Sequence, residues 1–342
     1  MAIKEVYADC AASAPPLKCA MDAMAWGYAN PNSGHTLGRE SRRALEDARD
    51  IIARCINAKP EEIAFTPSAT SACEAGLDFF DSRWPYTNYC WSDYEHKAVF
   101  SYLSGDYHDD SAHIDGCYAH MLANNETGEI YYDKVKELSE KYTVFTDATA
   151  AVGQIPVDVQ DLGVAALAAG AHKFGGFPGI GFLYVRGGIE DDDTFPGTPP
   201  VALAVAMADA LKYRTNNIIE SMNYLLSQRM ALISNIMTIP GAHINCLDKK
   251  RLPNIVSVRF DGVNARELLS MLDVNGVYAS AGAACSADAD EPSRTLLASG
   301  LTEEEALSTI RLSFCPETTP EAFSFVSDAL RRSVGNLRSL SQ

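Results

Sequence analysis

The chain has 342 residues, 47% hydrophobic and 21% charged, with a formal net charge of -17 and an isoelectric point near 4.8. That length and balance describe a globular protein with one large domain and a smaller companion, and they exclude a disordered chain. The negative charge argues against nucleic acid or an anionic membrane as partner, no apolar run approaches the roughly 20 residues of a spanning helix, and nine cysteines without a Cys-x-x-Cys pair fit free thiols better than disulfides or a metal site.

Met1-Ala2-Ile3-Lys4-Glu5 lacks the basic and apolar regions of a secretory signal, so the expectation is a cytoplasmic protein. Residues 7–16 read as an irregular opening segment, followed by a short helix over 21–28 and a turn-rich break at Asn30-Pro31-Asn32-Ser33-Gly34-His35. Ala44, Ala48, Ile51, Ile52, Cys55 and Ile56 recur at helical spacing and predict a helix over 37–58. Ile63-Ala64-Phe65-Thr66 reads as a strand, and Pro67-Ser68-Ala69-Thr70-Ser71-Ala72 turns from it into a helix reaching about residue 80. Free amides at such a start suit a phosphate, and the same hydroxyl residues serve equally as an ordinary N-cap. A short unit then carries Tyr94-Glu95-His96-Lys97-Ala98. A strand over 118–123 ends in Asn124-Asn125-Glu126-Thr127-Gly128, a helix over 132–141 follows, and a strand over 142–147 closes on Asp147. The apolar run 164–169 is short enough for a buried strand. It ends at Gly170-Ala171-His172-Lys173, before Phe174-Gly175-Gly176-Phe177-Pro178-Gly179, which cannot continue a helix. One more strand spans 181–185. Strands alternating with helices imply an α/β fold with a largely parallel sheet and a ligand at the strand ends.

After Arg186, residues 187–200 form a loop of Gly, Pro and Asp that marks a connection. Helices over 201–214 and 217–236 lead into a compact α+β unit: a strand over 254–260, a helix capped by Asn264 with Glu267, a strand over 277–280 and a loop over 281–293. A short helix capped by Thr302 and Glu305 runs into 309–314, and Thr319-Pro320 opens the last helix. The expected division is a large domain over 14–245 and a small one built from 1–13 and 246–342.

Lys173, at a strand end, carries the chemistry. An ammonium there is costly to bury unless its pKa drops or it is bonded, and lysines so placed form Schiff bases with carbonyl cofactors. Asp147 supplies the acid that keeps a cofactor ring nitrogen protonated, as pyridoxal phosphate (PLP) requires to act as an electron sink. A lysine and an aspartate at strand ends are also commonly solvated surface groups, so these two residues alone leave both readings open.

The ordered series Asn30-Pro31-x-Ser33-x-His35-x-x-Gly38-Arg39-Glu40, Phe65-Thr66-x-x-Ala69-Thr70, Glu95-His96-Lys97-Ala98-Val99, Asn124-Asn125-Glu126-Thr127-Gly128, Asp147-Ala148-Thr149, Ala171-His172-Lys173 and Ala284-Cys285-Ser286 with Glu291-Pro292-Ser293 resembles the cysteine desulfurases of the class V aminotransferase family. The resemblance covers nearly the whole chain. It implies the type I fold of PLP enzymes, with a mainly parallel sheet of the seven-stranded type and a smaller domain carrying the cysteine loop. It also implies a PLP cofactor, L-cysteine or a similar amino acid as substrate, a homodimer and a sulfur-acceptor protein. Lys173 would hold PLP and Asp147 would pair with its ring nitrogen. His96 would stack on the ring and move protons, and Asn125 would lie near the ring hydroxyl and the substrate. Ala69, Thr70 and His172 would bind the phosphate, with Thr198 reaching the phosphate of the other subunit. Arg311 would clamp the substrate carboxylate. Cys285 would take the substrate's sulfur as a persulfide, leaving L-alanine; a buried structural thiol is the alternative for that residue.

The chain departs from the family pattern at several places. Ala150 stands where a glutamine is usual and Gly170 where a serine is usual. Glu190-Asp191-Asp192-Asp193-Thr194-Phe195-Pro196 replaces a glycine- and arginine-rich segment, and Phe314-Cys315-Pro316 replaces Leu-Gly-Arg. These departures keep open a selenocysteine lyase, another carbon-sulfur lyase, an aminotransferase or a non-catalytic relative. Cys315 reads either as a core thiol or as a second sulfur carrier.

Overall fold

A computed structural model describes residues 3–25, 29–83, 89–103, 116–188, 197–282 and 291–340. Its strands are β1 (Val6–Tyr7), β2 (Ile63–Thr66), β3 (Tyr89–Trp91), β4 (Cys117–Ala119), β5 (Thr143–Asp147), β6 (Ala166–Gly170), β7 (Gly181–Val185), β8 (Ala242–Ile244), β9 (Ile255–Phe260), β10 (Val277–Tyr278) and β11 (Thr309–Ser313). The chain forms two compact units. The larger comprises Ala14–Ala123 and Tyr131–Ile218; the smaller takes the chain up to Ser13, Asn124–Ile130 and everything from Ile219 on.

In the larger unit one sheet runs in the order β2-β7-β6-β5-β4-β3. The pairs β3–β4, β4–β5 and β5–β6 are parallel, and β7 lies antiparallel to both β6 and β2. Every residue of β6 and β7 is buried, the continuous apolar run expected of strands covered on both faces. Helix Ala69–Arg83 packs on this sheet through Ala72, Cys73, Leu77 and Phe80, which share a core with Phe145, Ala168 and Leu183. Gly76 sets how close that helix comes: a Cβ there would lie 2.7 Å from Phe145 Cε2 and 3.1 Å from Leu183 Cδ1.

The smaller unit holds the antiparallel sheet β11-β9-β8 and the parallel pair β1–β10. Leu225, Leu232 and Ile236 from helix Ile218–Ile236, Leu268 and Leu272 from helix Ala265–Val274, and Val326 and Leu330 from helix Pro320–Leu340 meet Val256, Val258, Ile310 and Leu312 in its core.

Several boundaries differ from the sequence-based ones. The described residues contribute six strands to the main sheet, not seven. The first helix is Lys18–Ala23, with Leu17 as its N-cap after Pro15-Pro16, and is tied by a Lys18–Asp22 ion pair of 2.9 Å. β4 stops at Ala119, and beyond it Glu95 Oε1 accepts the Met121 amide at 2.6 Å. Residues 124–130 and 219–245, expected in the large domain, lie in the smaller unit. Ile130 N donates to Lys250 O at 2.9 Å and Leu252 N to Gly128 O at 2.7 Å, while Leu225, Leu232 and Ile236 belong to the smaller core. The two- and three-residue strands β1 and β8 were too short for periodicity to reveal.

Two glycine substitutions should move stability in opposite directions. Gly76→Val overfills the helix–sheet contact and should cost about 1–3 kcal/mol. Gly335→Ala, in helix Pro320–Leu340 with nothing within 4 Å of the added carbon, should stabilise by about 0.5–1 kcal/mol. Denaturant unfolding midpoints of the two variants and the parent chain check both.

Candidate active site

Asp147 is the last residue of β5, and Lys173 closes the one-turn 3₁₀ helix Ala171–Lys173 that follows β6. The two strands are parallel neighbours with Asp147 opposite Ala168, so both residues emerge at the same end of the sheet. Asp147 is buried at 6% exposure, and its Oδ1 accepts the Thr149 amide at 2.9 Å. That short turn fixes the carboxylate's direction. The Lys173 turn is pinned from behind: Gln154 Nε2 donates to the Lys173 carbonyl at 3.2 Å, and the buried Arg214 donates through Nε to the Phe174 carbonyl at 3.1 Å.

His96 precedes helix Lys97–Leu103. Its neighbour Glu95 is buried and uses Oε1 to hold both Ser92 Oγ at 2.7 Å and the Met121 amide at 2.6 Å, which anchors the segment. Burial lowers the His96 pKa, Lys173 and Lys97 push it further down, and Asp147 pulls it up. The imidazole therefore senses both Asp147 and Lys173, and at neutral pH it is uncharged and able to accept a proton.

Beside them lies the start of helix Ala69–Arg83. Ser68 Oγ accepts the Ser71 amide at 3.0 Å, and Thr66 Oγ1 donates to Ser68 O at 2.9 Å. Gly181 lets the strand end approach this turn: a Cβ there would stand 2.7 Å from Ala169 O and 3.0 Å from Ala69 N. Gly170 does the same on β6, where a Cβ would meet Ala69 Cβ at 3.0 Å and the His172 ring at 3.3 Å. The serine usual at that position would have to displace one of these neighbours. Ala69, exposed Thr70 and His172 thus surround one helix N-terminus, where amides and dipole favour an anion. Thr198 is exposed and lies within 3.5 Å of Asn30 Nδ2.

These residues fit PLP. A carboxylate and a lysine stand at adjoining strand ends, an anion-binding helix start lies beside them, and the buried Thr149 Oγ1, two residues from Asp147, has no hydrogen-bond partner among the described residues. A buried hydroxyl left unsatisfied is what a polar cofactor atom would complete.

In the smaller unit, Arg311 of β11 is 1% exposed. Its Nη2 meets Asp9 Oδ1 at 2.7 Å and its Nη1 donates to Asn125 O at 2.9 Å, while Ser280 Oγ donates to Asp9 Oδ2 at 2.9 Å. Nε is buried without a partner among the described residues. The paired asparagines divide their work: Asn124 Oδ1 accepts the amides of Glu126 and Thr127, both at 2.8 Å, to build the turn, and Asn125 lends its carbonyl to Arg311. Cys315 is buried and hydrogen-bonds Cys10, a contact that together with burial drives the Cys10 thiol pKa far up. That is the setting of an inert core thiol. Cys285 and the 190–196 segment lie outside the described residues.

Sequence reasoning missed the supporting residues Asp9, Gln154 and Arg214, because each bonds a group distant in the sequence and has no local spacing to betray it. Thr149, Glu95 and Glu126 lie inside the motifs named above without an assigned role.

Burial, reinforced by Lys173, pushes the His172 pKa down from 6.5 to about 4. Between those values the unfolded chain takes up a proton that the folded apo chain does not, so this group's contribution to stability is intact above pH 6.5 and is lost as pH falls toward about 4. Thermal midpoints of the apo chain should fall less steeply over that window in His172→Gln than in the parent.

The family model for "Aminotransferase class-V" matches residues 6–103, 112–191 and 189–324. The chain is 32% identical to the cysteine desulfurase IscS of Dictyoglomus turgidum, over 99% of this chain and 96% of that protein, and 30% identical to cysteine desulfurase IscS of Methanosarcina thermophila, over 99% and 94%. A solved structure described as a NifS-like protein superposes with a TM-score of 0.87 at 25% identity, covering 97% of this chain and all of that one. The chain belongs to the class V aminotransferase family, whose enzymes depend on PLP.

Proposed function

We propose that the chain is a PLP-dependent cysteine desulfurase that removes sulfur from L-cysteine and hands it on through a persulfide on Cys285. The observation that carries this reading is the meeting of Asp147, Lys173 and His96 at one end of the sheet, in a chain similar along almost its whole length to cysteine desulfurases. When bound, PLP supplies an electron sink for the substrate's α-carbon. Lys173 would hold its aldehyde, Asp147 would keep its ring nitrogen protonated, and neutral His96 would face the ring and take a proton. Asn125 would serve the ring hydroxyl, and Ala69, Thr70 and His172 would bind the phosphate. Arg311, held flat by Asp9 and the Asn125 carbonyl, orients the substrate carboxylate.

The Cys285 thiolate attacks the substrate's sulfur. A sulfur–sulfur bond forms as the substrate's carbon–sulfur bond breaks, the electron pair stays with the carbon fragment, and a proton added there gives L-alanine. In balance, L-cysteine and a thiol yield L-alanine and a persulfide, without an external oxidant or reductant. The same reading takes the protein as a cytoplasmic homodimer in which Thr198 reaches the partner's cofactor phosphate, and it requires a sulfur-acceptor protein. Among the described residues no helix is long and apolar enough to cross a membrane.

Two outcomes are expected. With a thiol reductant, PLP-loaded protein should release L-alanine and sulfide in equal amounts from L-cysteine, and Lys173→Ala and Cys285→Ser should each abolish the sulfide. A keto acid product, or selenide release far exceeding sulfide, would assign the chain to a different reaction of its family. Arg311→Lys, which replaces a planar fork by a point charge, should raise KM for L-cysteine about tenfold or more, measured by initial rates.

A further inference from the structure

A cavity of about 140 Å³ lies within the larger unit, between the end of helix Thr36–Cys55, residues 152–158 and helix Val201–Asn216. Ile56, Ile155 and Leu211 give it apolar walls. Its polar side chains are already partnered. The Cys55 thiol bonds the Thr215 side chain, and burial raises the thiol's pKa, so it is uncharged at neutral pH. Tyr132 Oη donates to Asp161 Oδ2 at 3.2 Å. The Asp158 carboxylate accepts Asn57 Nδ2 at 3.0 Å and the amides of Gln160 and Asp161 at 2.9 and 3.0 Å. An occupant therefore meets hydrocarbon and no unpaired charge. Apolar cavities of about 150 Å³ stay dry and admit benzene.

The cavity backs onto the Lys173 turn. Gly153 lines it, and a Cβ on that glycine would stand 2.6 Å from Phe174 Cβ and 3.5 Å from Arg214 Cβ. Gln154, between the lining residues Gly153 and Ile155, donates to the Lys173 carbonyl at 3.2 Å. Arg214, next to the lining residue Thr215, donates to the Phe174 carbonyl at 3.1 Å. Both side chains that pin the turn thus grow from the cavity's walls.

We infer that this cavity is a second binding site, for a small uncharged apolar molecule about the size of benzene, and that its occupancy is transmitted to the Lys173 turn through Gln154 and Arg214. An occupant packed against Gly153, Ile155 and Leu211 restricts the motion of both walls, and a close-packed interior passes that restriction to the groups bonded to them.

The test takes the whole chain, without PLP and again after PLP loading, with benzene as the probe. The benzene Kd is read by saturation-transfer NMR. Backbone hydrogen exchange in the 171–176 peptide is read by mass spectrometry; the Phe174 and Gly176 amides there donate to the Ala171 carbonyl at 3.2 and 2.9 Å. Benzene should bind the parent and slow that exchange about twofold or more. Cys55→Leu, which places the added carbons in empty space, should weaken benzene binding about tenfold or more and remove its effect on exchange. Thr215→Leu fills the cavity from helix Val201–Asn216 and decides the question if Cys55→Leu does not fold. No benzene binding in the parent, or undiminished binding in a folded filled variant, overturns the site. Exchange in 171–176 that saturating benzene leaves unchanged overturns the transmission. Neither readout needs substrate, and both are made first without PLP, so a failure here leaves the desulfurase reading standing.

Discussion

The parallel pairing of β5 with β6 brings a carboxylate and an ammonium to one end of a sheet, and the candidate site of the larger unit depends on it. With Asp147 opposite Ala168, the chain needs only one further turn to place Lys173 beyond the strand end. Parallel strands joined by crossovers deliver all their C-terminal ends to one side. The same rule brings His96, after β3, into the electrostatic reach of both residues. None of these groups is placed by a flexible loop alone: Asp147 is held by the Thr149 amide, Lys173 by Gln154 and Arg214, and His96 by the anchor at Glu95.

Close approach is the second constraint. Gly76 lets helix Ala69–Arg83 settle on Phe145 and Leu183, and Gly181 and Gly170 let the start of the same helix touch the ends of β7 and β6. Together these contacts hold the helix N-terminus beside Lys173. Gly170 stands where the family usually has a serine, and a Cβ there would meet Ala69 Cβ at 3.0 Å and the His172 ring at 3.3 Å.

The smaller unit solves a different problem, a guanidinium that is almost fully buried. Burial of an unpaired charge is prohibitive, and Arg311 avoids it through Asp9 and the Asn125 carbonyl, with Ser280 completing Asp9. Asp9 comes from the chain's opening segment and Ser280 from just beyond β10, so the arginine is oriented by pieces of chain about 270 residues apart.

The sequence by itself determined the alternation of strands and helices, the identity of the central strands, the capping of helices such as Thr302 with Glu305, and the residues of the acid–lysine–histidine set. Those features are local: a hydrophobic period, a cap or a motif is written in neighbouring residues. It did not determine where the two units divide, the short strands β1 and β8, or the side chains that hold the site in place, Asp9, Gln154 and Arg214. Only the tertiary structure decided these. A two-residue strand has too few positions to show a period, and a buried polar side chain is defined by the group it bonds, which here lies up to about 300 residues away.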